Sequence, residues 1–210
     1  MGKKILLIGG GGHCRSVLDS LISLDDYDKI GIIDFDKSSC ALDISVVGTD
    51  DDLPNLRKNG WTDAFITVGS LGSTQLRRKL YQKVKKLDYN IPTIIDPTAI
   101  IARKVILTEG AFVGKRGVVN SGSMVGACAI INTGAILEHD CKIGDFSHIS
   151  PGTILCGQVV VDKDSHVGAG SVVKQGITIG KNALLGIGSV VVKNIPDDTK
   201  AYGNPCRVVE

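Results

Sequence analysis

The chain has 210 residues, enough for one large or two small domains. Its 24 Lys and Arg residues nearly balance its 22 Asp and Glu residues, and the charges are interspersed, so neither nucleic acid nor an anionic membrane is expected as a partner. We find no apolar run of membrane-spanning length, no signal-peptide pattern and no CxxC pair among the six cysteines. We therefore expect a cytoplasmic protein whose cysteines are reduced structural thiols.

The first elements in chain order alternate between strands and helices. Apolar runs predict strands at 4–8, 30–33 and 64–68, and helical patterns follow at 15–24 and at about 74–87. This alternation predicts a small parallel α/β sheet of the Rossmann-like type over residues 1–92. Ligands of such sheets bind beyond the carboxyl ends of the strands. The loops at 9–13, 34–37 and 69–70 follow the predicted strands at that edge.

The first of these loops is a run of four glycines, Gly9 to Gly12, followed by His13. A dinucleotide fingerprint would need a further glycine at position 14 or 15, which are Cys14 and Arg15, so a full NAD site is disfavoured. Backbone N–H groups at the start of a helix still favour a phosphate, and Asp34 could accept hydrogen bonds from a ribose or a base. A tight turn beside a solvated acidic loop would explain the same residues, but we favour nucleotide or sugar binding.

A six-residue repeat occupies the second half of the chain. From Ile95 to Val191 every sixth residue is Ile, Leu or Val, and the residue four places later is mostly small. A period of six fits neither an α-helix nor an isolated strand and is typical of a parallel β-helix, a narrow prism with three hexads per turn. We predict this prism over residues 93–196, with about five to six stacked turns and a tail at 197–210.

The residues just before the inward aliphatics should point outward, and they sort into three columns, one for each side of the prism. The columns read Ile100, Val118, Ile136, Ile154, Val172 and Val190; then Ile94, Phe112, Ile130, His148, His166 and Leu184; then Ile106, Met124, Lys142, Val160 and Thr178. An exposed column that is entirely aliphatic predicts a subunit interface. Closed symmetry of order three suits a three-sided prism, so we expect a homotrimer.

Polar residues enter the repeat together, between positions 138 and 166. His139 falls on the turn after the aliphatic column, where a neutral imidazole could take a proton from an amine or hydroxyl while a neighbouring carboxylate orients it. Glu138 and Asp140 both adjoin it, and we favour Asp140 because Glu138 lies on the strand. Gly157 lies one full turn later and would leave backbone N–H and space for a thioester oxygen. His139 lies on the corner opposite the column of His148 and His166, so these three cannot form a tetrahedral set in one chain, and we expect no metal.

Together these motifs resemble the NeuD/PglD-type sugar acetyltransferases of the hexapeptide-repeat acyltransferase superfamily. The motifs are Gly-Gly-Gly-His after the first strand, the acidic loop after the second, Glu-His-Asp, Gly-Asp-Phe-Ser-His, and Gly-Asn-Pro at 203–205. The resemblance covers essentially the whole chain. It implies a left-handed parallel β-helix behind the Rossmann-like domain, a homotrimer, and transfer from acetyl-CoA without a metal.

The resemblance also implies roles for individual residues. It makes His139 the general base and Asp140 the acid that increases its basicity, at a position where the family often has Glu. The acetyl-CoA contacts that it implies are His148, Gly157, Ala169 and Ile187. The sugar-nucleotide contacts that it implies are Gly11, Gly12, His13, Asp34 and Gly69. Phe35 stands where some members have a second acid, which leaves the identity of the nucleotide open.

We therefore expect direct acetyl transfer in a ternary complex to an amino group of a nucleotide-linked amino sugar. No cysteine or serine is placed as a covalent nucleophile beside His139. Two alternatives remain open at this point. One is an O-acetyltransferase that acts on sialic acid or a related nonulosonic acid. The other is a non-enzymatic prism scaffold whose N-terminal unit senses a nucleotide, against which the intact His139-Asp140 pair argues.

Overall fold

The computed structural model describes residues 2–36 and 41–209. Lys37, at the end of the predicted acidic loop, and Cys40 lie outside the described residues. The chain divides into two compact units, one made of residues 1–70 and 74–97 and the other of residues 71–73 and 98–210. None of the helices within the described ranges combines the length and the apolar character needed to cross a membrane.

Within the described residues, the N-terminal unit contains a four-stranded parallel sheet with three helices. The strands are β1 (Lys4–Ile8), β2 (Lys29–Ile33), β3 (Val46–Gly48) and β4 (Asp63–Ile66), and the helices are α1 (Gly12–Leu24), α2 (Leu53–Lys58) and α3 (Gln75–Lys86). The strand order is β3-β2-β1-β4, and every pairing is parallel. The predicted parallel α/β sheet is confirmed. Strand β3 and helix α2 were not predicted, because three and six residues are too short to carry a clear period.

The core of this unit lies on both faces of the sheet. Residues Ile5 to Ile8 of β1 are all at most 1% exposed, the pattern of a central parallel strand covered on both sides. Helix α1 contributes Val17, Leu18 and Leu21, and helix α3 contributes Leu80 and Val84. Each of these aliphatic side chains stabilises the fold by about 1.5–3 kcal/mol through burial. The strand ends are thereby held rigidly, which positions the loops that follow them.

The second unit is a prism of three parallel sheets built from two-residue strands. The aliphatic face consists of β6 (Ile100–Ile101), β9 (Val118–Val119), β12 (Ile136–Leu137), β15 (Ile154–Leu155), β18 (Val172–Val173) and β21 (Val190–Val191). The lysine face consists of β7 (Ile106–Leu107), β10 (Met124–Val125), β13 (Lys142–Ile143), β16 (Val160–Val161) and β19 (Thr178–Ile179). The histidine face consists of β8 (Phe112–Val113), β11 (Ile130–Ile131), β14 (His148–Ile149), β17 (His166–Val167) and β20 (Leu184–Leu185). Strand β5 (Ile94–Ile95) precedes them in the chain.

The register confirms the three predicted columns, because residues one full turn apart are paired across neighbouring strands. Ile136 pairs with Ile154, Lys142 with Val160, and His148 with His166. The second residue of each strand points inward, and from Val113 onward all of these residues are at most 3% exposed. The predicted left-handed parallel β-helix is therefore the fold of this unit.

Small hydroxyl side chains fill the space left between the inward aliphatics. Ser147 and Ser165 are at most 1% exposed. The hydroxyl of Ser147 donates to the carbonyl of Asp162 at 2.7 Å and accepts from the backbone N–H of Ser165 at 3.2 Å. The Ser165 hydroxyl repeats the pattern one turn later, with Gly180 and Ala183. A narrow core thus admits these polar groups because each makes hydrogen bonds that offset its loss of water.

The outward columns differ in their exposure. On the aliphatic face Ile100 is 62% exposed, and Ile154 and Val172 are 36% and 38% exposed. The expectation that all of these positions point to solvent is wrong for the first turns of the histidine column, where Phe112 and Ile130 are each 1% exposed. The column of the aliphatic face therefore consists of exposed and partly exposed aliphatic side chains.

The last residues continue the histidine face. Strand β22 (Lys200–Tyr202) pairs in parallel with β20, and β23 (Arg207–Val208) returns antiparallel to β22. The backbone N–H of Cys206 donates to the carbonyl of Val190 at 2.8 Å. The tail thus adds two strands to the end of the prism.

Candidate active site

His139 and Asp140 lie on the turn that joins the aliphatic face to the lysine face. Nδ1 of His139 is 2.9 Å from Oδ2 of Asp140, and the two side chains are 52% and 58% exposed. When the imidazole is neutral, Nδ1–H donates to the carboxylate, so Nε2 carries the lone pair and can accept a proton. A half-exposed imidazole held in this tautomer has the arrangement of a general base.

Two glycines in the neighbouring turns make room for this pair. A Cβ on Gly157 would come within 2.6 Å of Cε1 of His139, and a Cβ on Gly122 would collide with Oδ1 of Asp140. The imidazole therefore occupies the space beside Gly157 that we expected to be open, and a thioester oxygen near that backbone remains a prediction. Gly122, one full turn before Asp140, was not singled out from the sequence, although the repeat places the two residues in register.

The shorter acid reaches the imidazole despite having one methylene fewer than the Glu common in the family. Asp140 has a φ of 61°, and its backbone N–H donates to the carbonyl of Ser121 at 3.0 Å. Among non-glycine residues, Asp is one of the few enriched in this left-handed conformation. The turn geometry and the short side chain together bring the carboxylate to Nδ1.

A second polar cluster lies on the histidine face. The rings of His148 and His166 meet edge to face, with centroids 4.9 Å apart. The amide Nδ2 of Asn132 is 3.1 Å from Nε2 of His148, and the hydroxyl of Ser150 is 3.2 Å from Nε2 of His166. Because an amide nitrogen can only donate, Nε2 of His148 accepts, and the proton of the neutral ring is on Nδ1. Asn132 and Ser150 were missed, although both directly follow an inward aliphatic of this face.

His139 and His148 are not brought together within one chain. His139 lies on the corner between the aliphatic and lysine faces, and His148 lies on the remaining face, with the packed core between them. Ala169 and Ile187 are stacked one full turn apart on the corner between the histidine and aliphatic faces, where Ile187 is 80% exposed. The predicted cofactor contacts are therefore dispersed within one chain: Gly157 lies beside His139, Ala169 and Ile187 lie at the other edge of the aliphatic face, and His148 lies on the histidine face.

The cysteine next to this corner, Cys141, does not have the properties of a covalent nucleophile. Burial raises the pKa of the Cys141 thiol to about 11, and its Sγ donates to the carbonyl of Cys156 at 3.3 Å. That thiol therefore stays protonated at neutral pH and is turned inward. Among the residues described, no three His, Cys, Asp or Glu side chains are grouped so that they could bind a metal ion.

A groove of about 360 Å³ lies on the lysine face between Met124, Lys142 and Val160. It contains none of the predicted site residues. Its floor is the outward column of that face, which is apolar there except for Lys142. We therefore place the candidate chemistry at the His139 corner, where a base and an acid are in contact, and not in this groove.

The loops of the N-terminal unit converge at the carboxyl edge of its sheet, as predicted. Gly9 has a φ of 108°, and a Cβ there would come within 2.6 Å of Val68, so the loop requires glycine. Helix α1 begins at Gly12, three residues earlier than predicted, and its N-cap Gly11 supplies no side-chain cap. A Cβ on Gly69 would lie 3.9 Å from Cβ of His13, so these two predicted contacts are neighbours.

Asp34 supports the glycine loop. Its Oδ2 accepts the backbone N–H of Gly10 at 2.6 Å, and its Oδ1 accepts the backbone N–H of Asp36 at 3.0 Å. Each carboxylate oxygen can accept a second hydrogen bond. The side chain can thus hold the loop and still receive a hydroxyl from a ligand. Uncapped N–H groups at the start of α1, next to this loop, favour an anion such as a phosphate.

A cavity of about 180 Å³ opens along the same edge of the sheet. It is lined by Gly9, Asp34, Phe35, Asp50 and Val68, and by the helix α3 residues Leu76 and Leu80 among others. Phe35 is 79% exposed and Leu76 is 54% exposed. Phe35 belongs to the loop at 34–37 that was predicted at this edge, but it was not itself predicted as a contact. Asp50 was not predicted, because nothing in the sequence alone indicates that the loop after β3 reaches the glycine loop.

Comparisons with known proteins support the fold and identify similar families. Residues 4–84 match the family model described as the PglD N-terminal domain. PerB from Caulobacter crescentus, a perosamine N-acetyltransferase, is 36% identical to this chain. The match covers 99% of this chain and 97% of PerB, with a TM-score of 0.92. That structure contains CoA and GDP-perosamine.

Two further relatives match over their whole length. The acetyltransferase domain of PglB from Neisseria gonorrhoeae, solved with acetyl coenzyme A, is 31% identical over 100% of both chains, with a TM-score of 0.93. WeeI from Acinetobacter baumannii is 22% identical over 99% of this chain and 100% of its own, with a TM-score of 0.87, and supports the fold alone. The match with each relative runs through both units of the chain.

Proposed function

The chain belongs to the NeuD/PglD-type sugar acetyltransferases of the hexapeptide-repeat family, and from this membership we propose that it acetylates an amino group of a nucleotide-linked amino sugar. It is an acyltransferase, and its acetyl donor is acetyl-CoA. PerB and the PglB acetyltransferase domain, each more than 30% identical, have been solved with CoA or acetyl-CoA, and PerB also with GDP-perosamine. The contact between His139 and Asp140 is the observation on which the mechanism rests.

His139 acts as the general base. Its Nδ1–H donates to Asp140 at 2.9 Å, which leaves the lone pair of Nε2 for the acceptor amine. As the amine nitrogen bonds to the thioester carbonyl carbon, Nε2 takes one of its protons, and Asp140 stabilises the imidazolium that forms. The tetrahedral adduct then expels the CoA thiolate, and the imidazolium returns the proton to the sulfur. The atoms balance as amide plus free thiol, with no acyl-enzyme.

The site is completed between subunits of a homotrimer. In one chain the packed core lies between His139 and His148, and Ala169 and Ile187 lie at the far edge of the aliphatic face, so we infer that His139 and His148 meet one acetyl-CoA from different chains. The aliphatic column beside His139, in which Ile154 and Val172 are exposed and Ile136 is partly exposed, supplies the surface on which neighbours associate. Acetyl-CoA would lie in the groove between neighbouring prisms.

The N-terminal unit binds the nucleotide part of the acceptor. Gly11 and Gly12 present uncapped N–H groups at the start of α1, which suits the diphosphate. Asp34 accepts a ribose hydroxyl while holding the loop, and His13 and Gly69 lie side by side next to it. Acceptor binding and proton abstraction are therefore assigned to different elements.

A transfer assay tests this function directly. The purified chain is incubated with acetyl-CoA and either a nucleotide-linked 4-amino sugar or a free sialic acid, and CoA release is followed with a free-thiol reagent. Mass spectrometry of the product identifies an N-acetyl or an O-acetyl group. Release with the amino sugar alone supports the proposal. Release only with sialic acid would replace it by O-acetylation.

A further inference from the structure

The cavity at the carboxyl edge of the N-terminal sheet has a fixed order of lining residues. Across the sheet order β3-β2-β1-β4, Asp50 follows β3, Phe35 follows β2, Gly9 follows β1 and Val68 follows β4. Strand β3 is two strand spacings from β1, so Asp50 lies about 10 Å from the start of the glycine loop along this edge. That separation is comparable to the span of a nucleoside. A diphosphate at the glycine loop would therefore direct its base toward Asp50.

The two carboxylates of this cavity, those of Asp34 and Asp50, differ in the hydrogen bonds that they make. Both oxygens of Asp34 accept backbone N–H groups of the loops, at 2.6 and 3.0 Å. The Asp50 side chain is 24% exposed, and its contact within the described residues is Nζ of Lys83 at 3.9 Å, which is too long for a hydrogen bond. Asp50 is thus a half-buried acceptor beside an apolar cavity, with its hydrogen-bonding capacity unused by the described part of the chain.

The other lining residues suit a flat apolar group. Phe35 presents an exposed ring, and Leu76 and Leu80 of α3 are further apolar lining. Aromatic rings stack on every nucleobase with similar strength, so Phe35 alone would not select one base. Selection of one base must come from the group that contacts the polar edge of the base, and in this cavity that group is the Asp50 carboxylate.

Only one common base presents two adjacent donors to a carboxylate. Guanine offers N1–H and its exocyclic amino group side by side. Uracil and thymine offer one N–H between two carbonyl oxygens, and adenine and cytosine offer an amino group next to a ring-nitrogen acceptor. If a carboxylate faced uracil, thymine, adenine or cytosine, one of its oxygens would lie against a carbonyl oxygen or a ring-nitrogen lone pair of the base, which is unfavourable.

We propose that this cavity binds the base of a guanine nucleotide, with the Asp50 carboxylate accepting hydrogen bonds from N1–H and the exocyclic amino group. The inference rests on the proposed function, because it assumes that the N-terminal unit holds the nucleotide of the acceptor. It names the class of acceptor as a guanosine-diphosphate-linked amino sugar.

Calorimetric titration of the full-length protein with GDP, UDP, CDP and ADP tests the proposal. GDP should bind most tightly. Asp50→Asn places an amide donor against a base donor and should weaken GDP binding about 10- to 100-fold, the effect of losing a bidentate base contact, with little change for UDP. Phe35→Ala should weaken all four nucleotides alike, because stacking does not distinguish bases.

Asp51→Asn is the matched control. Asp51 is next in the chain, is 95% exposed and lies 3.7 Å from the same Lys83 ammonium, so the substitution removes the same charge near the same lysine. It should leave GDP binding unchanged, and thermal unfolding of all variants checks that they are folded. Equal binding of the four nucleotides by the native protein, or an equal loss for all of them in Asp50→Asn, would overturn the base assignment while leaving the proposed acetyl transfer intact.

Failure of the proposed function would look different. If no nucleotide binds while the chain acetylates a free amino sugar, the acceptor is not nucleotide-linked, and the base assignment falls with that part of the function. If GDP binds selectively but no amino sugar is acetylated, the base assignment stands and the proposed function is contradicted.

Discussion

The two units of this chain differ in whether one copy is enough to make a site. In the N-terminal unit, parallel strands end at one edge, so Gly10, Asp34 and the cavity lining come together within a single chain. In the prism, side chains point outward from three faces around a packed core, so His139 and His148 point away from each other. The cavity at the N-terminal edge is formed within one chain, whereas in the proposed mechanism the His139 corner needs a neighbouring chain to complete its site.

This difference predicts how substitutions should behave. Changes in the prism should reduce the rate of transfer, and two defective prisms should complement each other if their defects lie on opposite sides. Changes at the N-terminal edge should weaken acceptor binding and should act within each chain separately. The following predictions test this division, from the largest expected effect to the smallest.

The largest effect is expected at the base. His139→Ala should lower kcat by about 10²- to 10⁴-fold, because proton removal from the amine then falls to water. Since the side chain is 52% exposed on a turn, the fold and acetyl-CoA binding should be unchanged. Steady-state kinetics and calorimetry measure the two quantities. A kcat within threefold of the native value would exclude His139 as the base.

A smaller loss is expected when the acid is displaced indirectly. Gly122→Ala would push a methyl group into Oδ1 of Asp140 and misplace the carboxylate, and should lower kcat about 10- to 100-fold. Gly134→Ala is the control, because Gly134 has a φ of 66° on a comparable turn and open space around its Cβ position. It carries similar backbone strain without the collision.

The pathway through Asp140 can be isolated by a double-mutant cycle. Adding Gly122→Ala to Asp140→Ala should cause no further loss of kcat, since the carboxylate that it displaces is already gone. An additional tenfold loss in the double variant, or an equal loss in Gly134→Ala, would mean that Gly122 matters to the fold of the turn and not to the base.

At the N-terminal edge the effect should fall on binding. Asp34→Ala removes the carboxylate that holds Gly10 and receives the ribose, and should raise KM for the acceptor about tenfold while leaving kcat and KM for acetyl-CoA unchanged. Initial rates with each substrate varied in turn make the comparison. If both KM values rise together, Asp34 is a structural residue of the loop.

The smallest effect is expected at Cys141, directly after the His139-Asp140 pair. Burial raises the pKa of its thiol from 9.0 to about 11, so the nucleophilic thiolate is scarce at pH 8 and increases only as the pH approaches 11. Cys141→Ser, which places at this position the residue found at Ser123 in the same column, should change kcat less than about twofold. Alkylation of Cys141 should likewise be slow at pH 8. Loss of transfer in Cys141→Ser would support an acyl-enzyme instead of direct transfer.

The repeat made the prism readable from the sequence. A strict period of six assigns every residue to a face, and a step of three hexads gives its neighbour, so the contacts of His139 with Gly157 and of Asp140 with Gly122 were accessible in principle. The burial of Phe112 and Ile130 was not predictable, because the repeat shows which side chains point outward and does not show what packs against them. The partner of Nδ1 was anticipated, since only adjacent acids could reach it.

The N-terminal unit was less predictable for a physical reason. Its strands are separated by helices and loops of unequal length, and no period relates Asp34 to Gly10 or Asp50 to Phe35. Strand β3 has only three residues, so the sequence contains no clear strand pattern before Asp50 that would predict its loop at the sheet edge. The glycine loop and Asp34 could be recognised as candidates, but the cavity that joins them to Asp50 depends on the tertiary packing of α3.

The central claim is that one catalytic groove takes His139 from one chain and His148 from its neighbour. Co-refolding His139→Ala chains with His148→Ala chains in equal amounts tests it most directly, by the transfer rate of the mixture. Random assembly of trimers gives about one quarter of the grooves both histidines, so the mixture should recover a comparable share of the native rate, whereas each variant alone stays inactive. A mixture that remains as inactive as its components, despite forming mixed trimers, would contradict the shared site.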